Sequence, residues 1–332
     1  MKSEAGGQIT ATITLNPSLD ITITVDGLVV DETNRWKNSR LYAGGKGIDV
    51  SRAVREMGGR TVAYGFIGGS PGRQVEILLD KEGVPVSFTP IEHETRVNFI
   101  ITDTKTNQQT RIDAPGPRIS KEEFERFRRK ILQIYPKPSL VVMSGSVPPG
   151  LPVSIYYDMM MDARGFNVRC LLDSDGQWLE EGIKARPYLV KPNVREAETL
   201  LKKELPAEKD IIEAAFNIIE MGVEVVAISR GKDGIIVASK QKVVKGVPPE
   251  VKVRSAVGAG DCAVAGLALK LIRNEPLMEA CRLAVAMGAA CVLTPGNELC
   301  HRADVERLLP QVKVWEMPAR PRAKVSFPAS KG

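Results

Sequence analysis

The sequence predicts an α/β fold, with a mostly parallel central sheet covered on both faces by helices and a small β-sheet lid. Three observations predict it. From residue 121 onward, apolar strand-like runs alternate with helix-spaced segments, the rhythm of a largely parallel sheet. Five of those runs end in polar or glycine-rich turns, "SGSVPPG", "DSDG", "KPNVRE", "SRGKDG" and "AVGAGD", which argues for one long crevice at the carboxyl ends of the strands. Two early stretches, about residues 20–45 and 95–115, interrupt the rhythm with hairpin patterns and read as a separate sheet lying over that crevice.

The elements follow in order. "QITATITLNPSLDITITV" alternates Ile, Thr and Val as a strand does, with a break at Asn16-Pro17. "GIDVSRAVREMGG" has helical spacing and closes on two glycines. "TVAYGFIGG" reads as a buried strand, "RQVEILLDKEG" as a helix, and "RVNFIITD" with "QQTRIDAPG" as a hairpin around Thr106-Asn107. The helix "KEEFERFRRKILQIY" starts the regular part, with strands at "SLVVMSGS", "NVRCLLDSD" and "PYLVKPN", each followed by a helix. After the helix "EKDIIEAAFNIIEMG" come strands at "EVVAISRG", "GIIVASK" and "VKVRSAV", then two helices.

Composition excludes several classes. The 332 residues are long enough to bury a sizeable core, and 43% hydrophobic with 26% charged is an ordinary balance. No apolar run reaches the roughly 18 residues of a membrane span, and "MKSEAGGQ" lacks the apolar core of a signal peptide. Five scattered cysteines without a CxxC pair read as buried thiols in a reducing, cytoplasmic setting. With two histidines and no CxxC pair, no His/Cys metal site is expected. Of the net charge of +6, a net +4 sits after residue 311, where Lys313, Arg320, Arg322, Lys324 and Lys331 face Glu316. We therefore expect one domain over 1–312 and a basic, Pro-containing, flexible tail over 313–332, with neither a nucleic-acid nor a membrane partner.

The chemistry concentrates in "SAVGAGDCAVAG". Gly258 and Gly260 leave the backbone bare, and a helix starting near Asp261 would aim unpaired N–H groups at an anion. Asp261 has two readings: the N-cap of that helix, or a general base beside a transferring phosphoryl group. Gly258-Ala259-Gly260-Asp261-Cys262-Ala263 also fits GxGxxA, but a second helix follows where a dinucleotide fold needs a strand. No GxxxxGK[S/T] occurs. "AGGKGIDVSRA" is another bare turn at a helix start, carrying Lys46, either a surface lysine or a ligand contact. In "LVKPNVREAE", Asn193 and Glu196 could form a capping box or hold a hydrated Mg²⁺.

The pieces "TLNPSLD", "NRWKNSRLYAGGKGIDVSRA", "ETRVNFII", "SGSVPPG", "LVKPNVREAE", "ISRGKDG" and "SAVGAGD" resemble the ribokinase-like (PfkB) sugar kinases, in their phosphofructokinase and tagatose-6-phosphate kinase branch. They run in the family's order from residue 12 to about residue 305. The resemblance implies a ribokinase-like three-layer sandwich and Mg²⁺-dependent transfer of the γ-phosphoryl group of ATP to a sugar phosphate. It implies Asp261 as base and the amides of Gly258, Ala259 and Gly260 as anion hole. Asp20 would hold sugar hydroxyls beside Gly44 and Gly45. Arg96 and Ser146 would grip the sugar's own phosphate, with Lys46 and Arg35 as further candidates. Lys191, Asn193 and Glu196 would face ATP and Mg²⁺, and Ser229, Gly231 and Gly234 would line the nucleotide. A homodimer through the lid sheet is expected by analogy.

Three positions depart from the family pattern. Asp49 replaces the usual Asn and adds a carboxylate near an anionic substrate. The usual Thr before Val257 is missing, and Thr33 stands where some relatives carry a lysine. The ending "VLTPGNELCHRADV" is more similar to the fructose-6-phosphate enzymes, so 6-phosphofructokinase is the leading expectation. Fructose 1-phosphate and tagatose 6-phosphate are rival substrates, and a catalytically silent sugar-phosphate sensor is the alternative from another class.

Overall fold

The computed structural model describes residues 8–106 and 108–318, so Asn107 and the tail from residue 319 lie outside the described residues. Strands β1 (Ile9–Thr14), β2 (Ser18–Val25) and β3 (Asn38–Gly44) precede helix α1 (Lys46–Glu56). Next come β4 (Arg60–Ile67), α2 (Gly69–Lys81), β5 (Thr89–Pro90), β6 (Arg96–Asp103) and β7 (Gln108–Ile112). The alternating part comprises α3 (Lys121–Leu132), β8 (Leu140–Ser144), α4 (Ile155–Arg164), β9 (Arg169–Asp173), α5 (Gly176–Ile183), β10 (Leu189–Val190) and α6 (Val194–Leu201). The chain continues through α7 (Glu208–Glu220), β11 (Val225–Ser229), β12 (Ile235–Ser239), β13 (Val243–Val247), α8 (Ala259–Leu271), α9 (Leu277–Cys291), α10 (Arg302–Leu308) and β14 (Lys313–Met317).

Two sheets result. The main one has ten strands in the order β14-β13-β12-β11-β10-β9-β8-β1-β4-β5. It is parallel from β5 to β11, and the pairings β11/β12, β12/β13 and β13/β14 are antiparallel. The lid is a four-stranded sheet, β3-β2-β6-β7, in the two regions where hairpin patterns predict it.

Alternation along β8 shows how the main sheet is buried. Leu140 and Val142 pack with α1, α8 and α9, whereas Val141 and Met143 pack on the other side with α3, α4 and α7. The small residues of α8 permit close helix packing: a Cβ on Gly266 would lie 2.7 Å from Ala284 Cα in α9. All five cysteines are buried and free. No helix among the described residues is long and apolar enough to cross a membrane.

Two local expectations are corrected. "VKVRSAV" is not a strand, since residues 251–257 have no ladder partner and 252–254 are exposed. The strand lies earlier, at Val243–Val247, where Gly246 gives α9 room: a Cβ there would sit 2.7 Å from Cys281 Sγ. The expected tail also begins inside the sheet. Residues Lys313–Met317 form the edge strand β14, with Lys245 Nζ 5.2 Å from the Trp315 ring centroid.

Candidate active site

The crevice is built from the carboxyl ends of β8 to β11, the start of α8 and the root of the lid. Helix α8 begins at Ala259 with Gly258 as its N-cap, at φ 78°. That left-handed conformation favours glycine, and a Cβ would lie 2.5 Å from Leu299 Cδ2. Asp261 is therefore inside the first turn, and the N-cap reading is set aside. The first helical hydrogen bond runs from Cys262 N–H to Gly258 O at 2.9 Å, so the amides of Gly260 and Asp261 precede it and are open to a ligand. A Cβ built on Gly260 would lie 3.6 Å from Lys191 Nζ. An ammonium thus faces the positive end of a helix, an arrangement suited to a polyanion.

Asp261 is 9% exposed, and its carboxylate makes no hydrogen bond or ion pair among the described residues. Burial, then the Asp173 charge, pushes its carboxyl up to about 7, against the opposing pull of Lys46 and Lys191. Asp173, the last residue of β9, anchors both lysines: its Oδ1 lies 3.3 Å from Lys191 Nζ and 4.0 Å from Lys46 Nζ. Burial disfavours the Asp173 anion, but Lys191 and Lys46 outweigh it and hold the group below the usual range. The sequence reading overlooked Asp173, although it begins "DSDG" at a strand end.

Asn193 and Glu196 form a capping box on α6. Asn193 Oδ1 accepts from Glu196 N–H at 2.9 Å, and Glu196 Oε2 accepts from Asn193 N–H at 2.8 Å. The second Glu196 oxygen is not used there. Burial raises the Glu196 pKa, with Lys46, Lys191 and Asp173 close enough to perturb it. The free carboxylate oxygen of Glu196 fits a hard cation that keeps its waters, with phosphate oxygens needed between that ion and the two lysines. Ser229 closes the same loop, its N–H donating to Pro192 O at 3.0 Å. Gly231 takes φ 58° with open space around it, whereas a Cβ on Gly234 would strike Gly246 O at 1.9 Å. Gly234 is thus accounted for by strand packing.

At the lid root, Asp20 is fixed by three donors. Ser18 Oγ and Asn98 Nδ2 donate to Oδ1 at 2.6 and 3.0 Å, and Asn297 Nδ2 donates to Oδ2 at 2.8 Å. Gly44 leaves room for this carboxylate, since a Cβ there would lie 2.4 Å from Oδ2. Gly45, at φ 118°, caps α1 and sends Lys46 toward Asp173. Arg96 donates to Ala114 O at 2.8 Å and Asn16 O at 2.9 Å, while its buried Nε–H has no partner. Asn16 Nδ2 in turn reaches Ser146 Oγ at 3.1 Å, joining Arg96 and Ser146. Neither Asn16 nor Asn297 was singled out from sequence. Arg35 is exposed in the loop after β2 and makes no hydrogen bond or ion pair among the described residues.

Asp49 is buried and turns to Arg52, Oδ1 to Nη1 at 3.0 Å. Arg52 also donates to Ala43 O and Asn297 O, both at 3.3 Å, and makes a forked pair with Glu82 at 2.7 and 3.0 Å. The added carboxylate is thus met by a buried guanidinium, although burial, with the Asp261 and Asp20 charges, still holds its pKa well above the usual range.

With this geometry in view, a family model decides the assignment: residues 13–303 match the pfkB family carbohydrate kinases. The chain belongs to that family. A 1-phosphofructokinase of Borreliella burgdorferi is 34% identical over 307 residues, 92% of this chain and 98% of that protein. An ATP-dependent 6-phosphofructokinase isozyme 2 of Mycobacterium tuberculosis is 36% identical over 297 residues, 89% of this chain and 87% of the relative. A crystal structure of phosphofructokinase-2 from Escherichia coli in complex with potassium superposes with a TM-score of 0.88 at 32% identity, covering 92% of this chain and 99% of the other. This pfkB-family chain is accordingly a sugar-phosphate kinase, of a family that uses ATP with a metal ion.

Proposed function

We propose that this chain transfers the γ-phosphoryl group of ATP to fructose 6-phosphate in the cytoplasm, giving fructose 1,6-bisphosphate and ADP. The observation that carries the reading is Asp261, a buried and unpartnered carboxylate, raised to about 7, in the first turn of a helix with open amides. Asp261 takes the proton of the sugar hydroxyl as that oxygen bonds to the γ-phosphorus and the bond to the ADP oxygen breaks. The amides at Gly258 and Gly260, joined by that of Asp261, balance the charge on the transferring group with Lys191 and Lys46, while the Ala259 N–H of the expected anion hole donates to Ala256 O at 3.4 Å.

Asp20 accepts from sugar hydroxyls, with the backbone of Gly44 and Gly45 alongside. Arg96 and Ser146 hold the phosphate the sugar already carries, and the unpartnered Arg96 Nε–H supports that role. Arg35, from the lid loop, is a further candidate. Lys191, Asn193, Ser229 and Gly231 meet the nucleotide. Asn193 and Glu196 would hold Mg²⁺ through water, and the ion would neutralise phosphate charge.

A homodimer through the lid is part of the reading. Leu41, Ile21, Phe99 and Ile112 stand opposite one another across all four lid strands, and Leu41, Phe99 and Ile112 are exposed. Sedimentation of wild type and Phe99→Asp tests it, and a monomeric wild type would refute it.

The activity test is ADP release from Mg-ATP with fructose 6-phosphate, fructose 1-phosphate, tagatose 6-phosphate, fructose or ribose, with Asp261→Asn as control. Turnover on fructose 6-phosphate that the variant loses is the expected result. Turnover on another sugar phosphate alone reassigns the substrate. Silence on the whole panel, from folded chain that binds ATP, favours a sensor.

A further inference from the structure

Between α3 and the β4–β5 edge of the main sheet lies a cleft of about 450 Å³, lined by Tyr64, Ser87, Arg126, Arg129, Lys130 and Gln133, with Ile134 at one side. None of these residues belongs to the site described above. Arg126, Arg129 and Lys130 lie at three- and four-residue steps, so α3 presents them on one face, and Gln133 at its C-cap follows at the same spacing. Arg126 Nη2 donates to Pro90 O at 3.2 Å and Lys130 Nζ to Phe88 O at 2.6 Å, which leaves each with further N–H donors. Arg129 is exposed, and its side chain makes no hydrogen bond or ion pair among the described residues. Burial lowers the Lys130 pKa, and the Glu76 charge on α2 opposes that shift without cancelling it.

Tyr64 is an independent observation. It rises from β4 at the cleft wall, 7% exposed, and its hydroxyl has no hydrogen-bond partner among the described residues. The ring is buried, but the hydroxyl is not sealed from solvent and meets it at the cleft wall. Here the cleft is the side from which a partner can come.

We propose that this cleft binds a small phosphate ester. Two guanidiniums and an ammonium on one helix face supply several N–H donors to the oxygens of a dianion, and guanidinium forks suit phosphate. Tyr64, Ser87 and Gln133 add neutral hydrogen-bonding groups around the body of the ester. A bare phosphate would leave much of the space unfilled, and pockets of this size hold small organic ligands. The inference does not rest on the kinase reading.

The test is hydrogen–deuterium exchange of the full chain with 3-phosphoglycerate and, in parallel, with inorganic phosphate. Residues 87–90 and 124–134 should exchange about tenfold more slowly when 3-phosphoglycerate is near ten times its dissociation constant. Arg129→Glu, at an exposed position, should abolish that protection, and Tyr64→Phe should weaken it. Arg96→Ala should leave it intact, which separates this cleft from the sugar site. No protection in wild type, or protection unchanged in Arg129→Glu, overturns the proposal. Equal protection by inorganic phosphate overturns the assignment to an ester.

Discussion

Asn297 Nδ2 donates to Asp20 Oδ2 at 2.8 Å, between residues 277 positions apart, and joins the loop after α9 to the root of the lid. The same Asn297 offers its backbone carbonyl to Arg52 at 3.3 Å, so one residue couples the Asp20 carboxylate to the buried Arg52 cluster. A hydrogen bond to a charged group is worth about 1.5–3 kcal/mol. Asn297→Ala should therefore lower kcat/KM for the sugar phosphate by about ten- to a hundredfold, with little change in KM for ATP. Steady-state kinetics with each substrate varied in turn would check this, and an equal loss for both would count against the link.

Asp261→Asn should reduce turnover by about 10²–10⁴ while ATP still binds. The raised pKa adds a pH signature. Only the ionised carboxylate accepts a proton, so wild-type kcat/KM should climb as pH rises through about 7. Stability runs the other way. A carboxyl raised in the folded state favours folding in its protonated form, and that benefit is lost as pH rises from the ordinary value of 3.8 through about 7. Asp261→Asn should thus melt higher than wild type at pH 8, with the gap closing below pH 4. Melting curves across that range would reveal an unchanged gap if burial of the charge were unimportant.

Removal of Arg52 should be costly. Arg52→Ala strands Asp49 in a buried site near Asp20 and Asp261, and breaking such a pair typically costs about 3–5 kcal/mol. Adding Asp49→Asn to Arg52→Ala removes the stranded charge and should restore part of that loss. Urea unfolding of the two single variants and the double variant measures the coupling.

Arg96→Ala should raise KM for the phosphorylated sugar about ten- to a hundredfold, and far more than KM for ATP. Arg96→Lys should recover little, because a lysine cannot reach Ala114 O and Asn16 O together and still present a planar N–H edge. Full recovery by lysine would reduce the role of Arg96 to net charge.

Much of the architecture was legible because it rests on local patterns. The β8–α4–β9 rhythm and the lid hairpins follow from strand and helix periodicities that neighbouring residues carry. Asp261 was visible because two glycines and a helix start lie within four positions of it. Its status as a first-turn residue was not, since Asp is an equally good N-cap and only the φ of Gly258 separates the two readings. Asp173, Asn16 and Asn297 were missed for another reason. Each sits in a turn-like context that predicts loop chemistry, and each gains its partners from segments far along the chain. "VKVRSAV" misled by its alternating valines, while "VVKGV" was hidden by a glycine whose value lies in the helix packed on it.

Asp20 and Arg96 do not lie beneath the lid; they are carried on its strands β2 and β6, in the paired rows that start at Ser18 and Arg96. A rigid excursion of that sheet would therefore carry the two proposed sugar contacts Asp20 and Arg96 with it, away from Ser146 after β8 in the main sheet. On the proposed reading, shielding from solvent and affinity for the sugar would fall together as that sheet moves, which would couple release of product to the entry of water.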